Sequence, residues 1–339
     1  MEKENKMENK ILKKGKGRSR IEVKPNEVEM LIILERQHLL STSQLFRYYT
    51  ELCFGKSHSY AFKNRMRKFE DFKLIKSAKF AEGFDGDRFK YYTLGSAGIE
   101  LLQEKGHLPD NYNKNRMYPL LNKKNVQHFL MTQEVVLRVM LRGMARLSMP
   151  RYEAKGLSLK MISLSPAEHP YDRWVPKGNG TFNRNNKGAA HARAANYTRS
   201  SSSKSEMGYT STMIKPDWIM KRTFEGTENK PRVVNIELDT GTEQWPQIID
   251  KVWRYCYVAE ENKDTNHVVI FVMPDETYSL RNKYGDRSQR LQNMNNSLNS
   301  DTKLQERIKE VRLQVRFISL KKIDHLIASF LEPEIFKED

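Results

Sequence analysis

Two carboxylates and a nearby lysine in the second half of the chain have the types and spacing for phosphodiester chemistry. In the run VVNIELDTG, Glu237 and Asp239 are two positions apart. On a β-strand this spacing points both side chains to the same face, about 7 Å apart along the backbone. Asp217, which follows Pro216 in an earlier strand-like run, would lie beside them if the two strands pair. Three converging carboxylates suit a hard divalent cation such as Mg²⁺, which would polarise a phosphate and activate a water molecule.

Lys251 is the cation that could stabilise the developing negative charge. It lies in EQWPQIIDKVWRYCYVAEE, a segment of helical period that follows the strand. From Asp239 to the turn at Gly241 the strand advances about 7 Å. If a helix from Gln244 folds back antiparallel, seven residues return Lys251 by about 10 Å, to the level of Glu237. If this helix packs on the face of Val234, Ile236 and Leu238 instead, Lys251 reaches the acids only around an edge of the sheet.

We therefore predict Glu237 and Lys251 as catalytic residues and Asp217, Glu237 and Asp239 as ligands of Mg²⁺. The polar edge of an ordinary sheet is the alternative interpretation. Tyr255, one helical turn beyond Lys251, could act as a covalent nucleophile, but a tyrosine in VWRYCYV is more typical of packing.

The charge of the chain points to a polyanionic partner. The 339 residues carry a formal net charge of +17, with an isoelectric point near 9.6, and such an excess suits nucleic acid. No apolar run approaches the roughly 18 residues of a membrane span, and the N-terminus lacks the apolar core of a secretory signal. Two cysteines far apart, Cys53 and Cys256, make a disulfide framework unexpected. We expect a cytoplasmic protein that binds nucleic acid and not a membrane.

Residues 25–106 predict a winged helix-turn-helix. Three helical patterns are followed by two strand-like runs, joined by a loop with Asp85–Gly86, and by a closing helix. The third helix has an apolar stripe and a basic outer face that would enter a major groove. An ordinary solvated face is the alternative. The residues that we predict to contact DNA are Ser59, Lys63, Asn64, Arg67, Lys68 and Arg88.

The remaining segments complete an α+β organisation. We predict a basic flexible arm over residues 1–24 and a linker over 107–124. The second domain, over 125–330, has the order helix, strand, strand, strand, helix, strand, helix, strand, which gives a mixed sheet with flanking helices. Residues 165–212 are rich in Gly, Asn, Ser and Arg, so we predict a disordered basic insertion there. No histidines have zinc-ligand spacing, and no nucleotide-binding glycine motif occurs.

The runs IKPDWIM, NIELDTGTE and KVWRY resemble the replication-relaxation family of plasmids and mobile elements of Gram-positive bacteria. The resemblance covers about residues 27–320, apart from the insertion. It implies a winged helix followed by a domain similar to the PD-(D/E)XK nuclease fold. By that likeness Asp217 and Glu237 match the acidic pair, and Glu134 matches an acid of the first helix, a further predicted metal ligand. The motif's lysine position is Asp239 here, so Lys251 is a candidate for a lysine that has moved to the helix.

The resemblance also implies a function. It implies a protein that binds double-stranded DNA in plasmid replication, relaxation or mobilisation, with Mg²⁺-dependent nicking as one form of that function. The alternative is a non-catalytic DNA-binding regulator or accessory protein with a degenerate nuclease-like domain. A homodimer, and other plasmid replication or mobilisation proteins, are the expected protein partners.

Overall fold

The chain forms two units, Met1–Ser158 (unit 1) and Leu159–Asp339 (unit 2). The structure is a computed structural model, and it describes residues 10–13, 20–79, 90–112, 126–143, 162–164, 174–176, 209–211, 216–222, 230–241, 243–274 and 288–323. Both units combine helices with sheets, which confirms a mixed α and β chain. Among these residues, no helix has the length and apolar character needed to cross a membrane.

Unit 1 begins with a β-hairpin inside the segment that we predicted as a flexible arm. Strand β1 (Lys10–Lys13) pairs antiparallel with β2 (Arg20–Val23). Ile21 and Val23 are buried, because alternate residues of a strand point to the same side. The prediction of a flexible arm was wrong for these residues because so short an alternation of apolar and polar residues is hard to see among many charged residues. Residues 1–9 and 14–19 lie outside the described part of the chain.

The helices and strands of the predicted winged helix follow. They are α1 (Pro25–Gln37), β3 (Leu40–Ser41), α2 (Thr42–Arg47), α3 (Ser59–Asp71), β4 (Ile75–Lys79), β5 (Lys90–Leu94) and α4 (Ser96–Glu104). Local capping explains two of the starts. Glu27 accepts a hydrogen bond from the backbone of Lys24 before α1, and Ser41 with Gln44 forms a capping box before α2. A π-helical turn, Tyr48–Leu52, continues α2.

The three strands form an antiparallel sheet in the order β3-β5-β4. Three helices followed by a strand pair of this kind are the arrangement of a winged helix-turn-helix. Gly98 in α4 lies so close to the carbonyl oxygen of Leu74 that an added Cβ would stand 2.2 Å from it, so α4 packs tightly on the segment that joins α3 to β4. The predicted hairpin loop, with Asp85–Gly86 and Arg88, lies outside the described residues.

Helix α5 (Val126–Arg138), continued by the π-helical turn Val139–Gly143, belongs to unit 1. Its residues Val126 and Leu130 pack with Leu39 and Tyr91 of the winged helix. The Gln44 side chain also donates to the carbonyl of Leu130, at 2.8 Å. We predicted this helix as the start of the second domain at residue 125. The structure differs because an amphipathic pattern identifies a buried face but not the surface that covers it.

The predicted linker and insertion are described only in part. Residues 107–112 turn back on α4, where the Gln103 side chain donates to the carbonyls of Pro109 and Asp110. Residues 113–124 lie outside the described chain, as does most of 165–212. Within the latter, β7 (Trp174–Pro176) pairs antiparallel with β8 (Tyr209–Ser211).

Unit 2 is built on a five-stranded mixed sheet. Its five strands are β6 (Ile162–Leu164), β9 (Trp218–Arg222), β10 (Arg232–Leu238), β11 (Asn266–Met273) and β12 (Gln314–Ser319). The order is β12-β11-β10-β9-β6, with β10, β11 and β12 parallel to one another and β9 antiparallel to both of its neighbours. This is the mixed sheet that the sequence predicts.

One face of this sheet is covered by α6 (Trp245–Glu261), α7 (Ser288–Ser300) and α8 (Thr302–Glu310). Their apolar residues pack with Val269, Phe271 and Phe317 in one cluster, and the two phenylalanine rings stack with centroids 4.8 Å apart. In the parallel pair β10–β11, Glu237 is opposite Phe271, and residues paired in this way project to the same side of a sheet. Helix α6 therefore covers the face of β10 that carries Asn235 and Glu237.

Candidate functional site

Glu237 is the centre of a buried polar group in unit 2. It is only 4% exposed, because β10 lies between two other strands and α6 covers its side. Lys251 Nζ donates to Glu237 Oε2 at 3.0 Å, and the hydroxyl of Tyr255 donates to Oε1 at 2.5 Å. Lys251 and Tyr255 are one helical turn apart on α6, so one helix supplies both donors. The contact of Lys251 with Glu237 that the chain geometry predicts is present.

The charges of this group are strongly coupled. The pKa of Glu237 is raised to about 7, first by burial and then by the nearby Asp217 charge, while Lys251 and the Tyr255 hydroxyl act in the opposite direction. Burial lowers the pKa of Lys251, but the carboxylates of Glu237 and Glu243 outweigh it and leave that pKa raised. Glu243 Oε1 lies 2.8 Å from Lys251 Nζ. Lys251 is thus a permanent cation between two acids, one of which can exchange a proton near neutral pH.

Asp217 joins the ends of two neighbouring strands. Its Oδ2 atom accepts a hydrogen bond from the backbone N–H of Leu238 at 2.8 Å. Strand β9, which starts directly after Asp217, pairs antiparallel with β10, and Trp218 is opposite Ile236. As we predicted for paired strands, Asp217 lies beside Glu237, close enough for its charge to affect the Glu237 carboxyl.

Asp239 takes a different partner. It lies just past the end of β10, is 4% exposed, and accepts from Arg290 Nε at 2.8 Å and Arg290 Nη2 at 3.1 Å. Its Oδ1 atom also accepts from the backbone of Gly241 at 2.7 Å. No sequence pattern identified Arg290, which is 51 residues away in the chain.

The acids of unit 2 do not form the predicted trio around a cation. Asp217 and Glu237 lie together, whereas the charge of Asp239 is neutralised by Arg290. In the described ranges, no three or more His, Cys, Asp or Glu side chains are grouped to hold a metal ion. The donor set of Asp217, Glu237 and Asp239 therefore does not fit a Mg²⁺ ion held by three carboxylates.

The other predicted metal ligand, Glu134, is engaged within unit 1. Its Oε1 atom lies 3.0 Å from Arg47 Nη1 and 3.2 Å from Arg138 Nε, and Gln44 donates to its Oε2 at 3.5 Å. Two arginines balance the charge of this nearly buried carboxylate. These contacts fasten α5 to α2.

Tyr255 is 0% exposed, and its hydroxyl points to Glu237. A phosphate of DNA would have no access to a hydroxyl in this position. Its geometry favours packing and the orientation of Glu237 over the alternative of a covalent nucleophile.

The predicted DNA-contacting residues of α3 lie on its outer face. Phe62, Met66 and Phe69 are buried, whereas the predicted contact residues are exposed or half-buried: Lys63, Asn64, Arg67 and Lys68 away from the buried stripe, and Ser59 at the start of the helix. Arg88 lies outside the described residues.

One arginine of α3 does not belong to this outer face. Arg65 turns inward and binds the buried Glu27 with two hydrogen bonds, of 2.6 and 2.8 Å. Its guanidinium also contacts the carbonyl of Glu22 and lies 5.0 Å from the ring centre of Phe69. Arg65 therefore ties α3 to α1 and to the N-terminal hairpin.

Comparison with known proteins places the chain in a family. The family model described as replication-relaxation matches residues 31–272, which is more than half of the chain. The chain belongs to the replication-relaxation family. The span that matches the replication-relaxation model runs from within α1 to the end of β11, so it contains α3 as well as the Glu237–Lys251 pair.

Other comparisons add little to this assignment. No curated protein matches the chain. Among solved structures, the crystal structure of Bacillus subtilis PadR in complex with operator DNA matches at 18% identity over 40% of this chain and 91% of that chain. Its TM-score is 0.23, too low to support an inference about the fold of this replication-relaxation protein.

Proposed function

We propose that this replication-relaxation protein binds double-stranded DNA through α3, and that it acts in the replication, relaxation or mobilisation of a plasmid or similar element. The observation that carries the proposal is the outer face of α3. Lys63, Arg67 and Lys68 are exposed there, in a chain with a net charge of +17. Such cations gain affinity by releasing counterions from the phosphates.

The placement of α3 supports entry into a major groove. Its apolar stripe anchors it to unit 1, and the Arg65–Glu27 pair fixes its rotation about its own axis. The major groove is about 12 Å wide and admits a single helix. Strands β4 and β5 follow α3 directly, where a wing would reach the adjacent backbone.

The proposal is tested by fluorescence anisotropy of the full chain with a labelled duplex of about 30 base pairs, at several salt concentrations. We expect the double variant Lys63→Glu/Arg67→Glu to lose at least tenfold in affinity and to show a shallower salt dependence, since about two phosphate contacts are removed. Lys303→Glu/Lys309→Glu, an equal charge reversal on exposed residues of α8, serves as the control. Wild-type protein that binds no duplex, or an unchanged affinity for the α3 variant, would overturn the proposal.

A second candidate concerns unit 2. The Lys251–Glu237 contact, with Asp217 beside it, favours a nuclease-like site related to the PD-(D/E)XK fold, and with it DNA nicking supported by Mg²⁺. The pairing of Asp239 with Arg290 favours the alternative, a non-catalytic accessory domain. In the nicking case Lys251 would supply positive charge next to a phosphate, and the Glu237 carboxyl could exchange a proton.

Relaxation of supercoiled plasmid separates these two candidates. The substrate carries DNA from the element that encodes the protein, and the reactions contain Mg²⁺, Mn²⁺ or EDTA. A nickase would convert supercoiled to open-circular DNA, and Glu237→Gln and Lys251→Met would abolish the conversion without loss of DNA affinity. No conversion by the wild type, together with normal DNA binding, would establish the accessory role.

We also propose that the chain binds DNA as a homodimer, the form in which many helix-turn-helix proteins read two half-sites. Light scattering of the free and the DNA-bound chain gives the number of copies. A single copy on every duplex tested would contradict this part of the proposal. Interaction with other replication or mobilisation proteins is a further expectation of the same proposal.

A further inference from the structure

We propose that Tyr60, in the first turn of α3, contacts the 5-methyl group of a thymine in the major groove and so sets the base preference at one position of the DNA site. This inference rests on the proposed DNA binding by α3. It concerns sequence preference, a property that the exposed lysines and arginines of that helix do not themselves provide.

The exposure of Tyr60 is the first observation. Its side chain is 77% exposed, and Ile11 is the other large hydrophobic side chain that is exposed in the described part of the chain. A single exposed aromatic residue needs no explanation on its own. Its position on the outer side of α3 is what suggests a contact with DNA.

The second observation is the order of side chains around α3. At about 100° per residue, Tyr60 and Asn64 lie within about 30° of the direction opposite the buried stripe. Arg67 and Lys68 lie about 50° to either side of that direction, and Lys63 about 90° from it. Before Asp71 at the C-terminal end, the outermost line of the helix is thus uncharged, with cations along its flanks. In a groove, the outermost line meets base edges and the flanks meet the phosphates of the two strands.

The third observation concerns the two ends of the helix. Tyr60 is the second residue of α3, whereas Asp71, near the same outermost line, is the last. These two residues are about 16 Å apart along the axis. An exposed carboxylate at the C-terminal end would be repelled by phosphates, so the N-terminal half, with Tyr60, Asn64 and Arg67, is the part suited to enter the groove. Arg67 Nη1 donates to Asn64 Oδ1 at 3.3 Å, which orders these neighbours before DNA binds.

The chemistry of the phenol ring determines the ligand. The characteristic apolar group that base pairs present in the major groove is the C5-methyl group of thymine. An aromatic ring held at the outermost line buries that methyl group, and the hydroxyl at its tip can exchange a hydrogen bond with an adjacent base edge. The ligand class is therefore duplex DNA with a thymine–adenine pair opposite the first turn of α3.

Selection of bound duplexes from a randomised pool tests the inference. We compare the wild type with Tyr60→Ala and Tyr60→Phe, and use Ile11→Ala as the matched control. Tyr60→Ala should lose a thymine preference of about tenfold at one position, with the salt dependence of binding unchanged because no charge is removed. Tyr60→Phe should keep most of that preference, and Ile11→Ala all of it.

Replacing the selected thymine with deoxyuridine removes only the methyl group and isolates the contact. The wild type should lose affinity on the deoxyuridine duplex, by a factor no larger than the Tyr60→Ala variant loses on the thymine duplex. Tyr60→Ala should not distinguish the two duplexes.

Two outcomes would overturn the inference, and they are distinguishable. If the wild type selects a sequence and Tyr60→Ala selects the same one with equal strength, Tyr60 does not read a base, although DNA binding by α3 stands. If the wild type binds no duplex, the proposed function and this inference fail together. A change of oligomeric state in Tyr60→Ala, with an unaltered base preference, would assign the ring to a contact between copies and also exclude base reading.

Discussion

Lys251 Nζ lies 3.0 Å from Glu237 Oε2 and 2.8 Å from Glu243 Oε1, so one ammonium group bridges a buried strand and the start of the helix that covers it. The bridge exists because α6 packs on the polar face of β10 rather than on the face of Val234 and Ile236. A helix on that other face would have separated Lys251 from Glu237.

The protonation of Glu237 should make stability depend on pH. Its pKa is raised from about 4.5 to about 7 by burial, so between these values the native state holds a proton that the unfolded chain has released. This contribution is complete near pH 4.5 and is lost as the pH rises through 7. We expect the free energy of unfolding of the wild type to fall, relative to that of Glu237→Gln, between pH 5 and pH 8.

Urea unfolding of both full-length chains at four pH values measures this difference. Burial lowers the pKa of His267 to about 4, which gives the opposite trend below pH 6.5, but this effect is common to both proteins and cancels in the comparison. Glu306→Gln, on the exposed side of α8, is the control. Parallel pH curves for the wild type and Glu237→Gln would show that Glu237 does not titrate in this range.

Tyr255→Phe should destabilise the chain by about 1–3 kcal/mol, because it removes a buried hydrogen bond to an ionisable carboxyl. The same change should raise the pKa of Glu237, since the hydrogen bond from Tyr255 lowers it. Thermal unfolding measures the first effect, and the pH dependence of stability measures the second. Tyr60→Phe, whose side chain is mostly exposed, should leave both unchanged; equal effects of the two substitutions would argue against the assigned contact.

Arg290→Ala should cost about 3 kcal/mol of stability, because it leaves the charge of Asp239 buried without its partner. Arg316→Ala removes an exposed arginine of β12 and should have little effect. Denaturant titration of both variants checks the difference. If Asp239 instead served a divalent cation, Asp239→Asn would weaken cation binding measured by calorimetry, whereas the structure leads us to expect no change.

Alanine substitutions of Arg65 and Arg67 should affect different properties, although the two residues are only two positions apart on α3. The first should lower stability and the second DNA affinity. Arg65→Ala removes the partner of the buried Glu27 and should lower the melting temperature by several degrees. Arg67→Ala leaves an exposed site and should keep the melting temperature, but lower DNA affinity. Differential scanning fluorimetry and anisotropy on the same preparations compare them; equal melting temperatures would contradict the role given to Arg65.

The sequence predicted that Lys251 could reach the level of Glu237, because this height depends on local regularities, but it left open which face of β10 the helix covers. Strand alternation set the face of Glu237, and helical rise set the height of Lys251. The same reasoning did not predict the partner of Asp239. Strand β10 ends at Leu238, so alternation no longer governs the direction of the next side chain, and its partner Arg290 is far away in the chain. Contacts of this kind leave no periodic pattern.

The order of three helices, two strands and a closing helix in the winged helix was also predicted from local patterns. The packing of α5 on the winged helix was not predicted. Its buried face was visible in the sequence, but its polar partners, such as Gln37, which accepts from Gln133 at 3.1 Å, are ordinary residues of a distant helix. The surface on which an amphipathic helix packs is determined by the tertiary structure and not by the helix's own sequence pattern.

The docking of α5 means that the winged helix is not a portable module by itself. A fragment that ended at residue 112 would expose Leu39 and Tyr91 to water and leave Arg47 without Glu134. A fragment extended through Gly143 would keep these contacts. A chimera that transfers the winged helix to another protein must therefore carry α5 with it, and recombination between related genes would preserve the winged helix only when the crossover falls beyond α5.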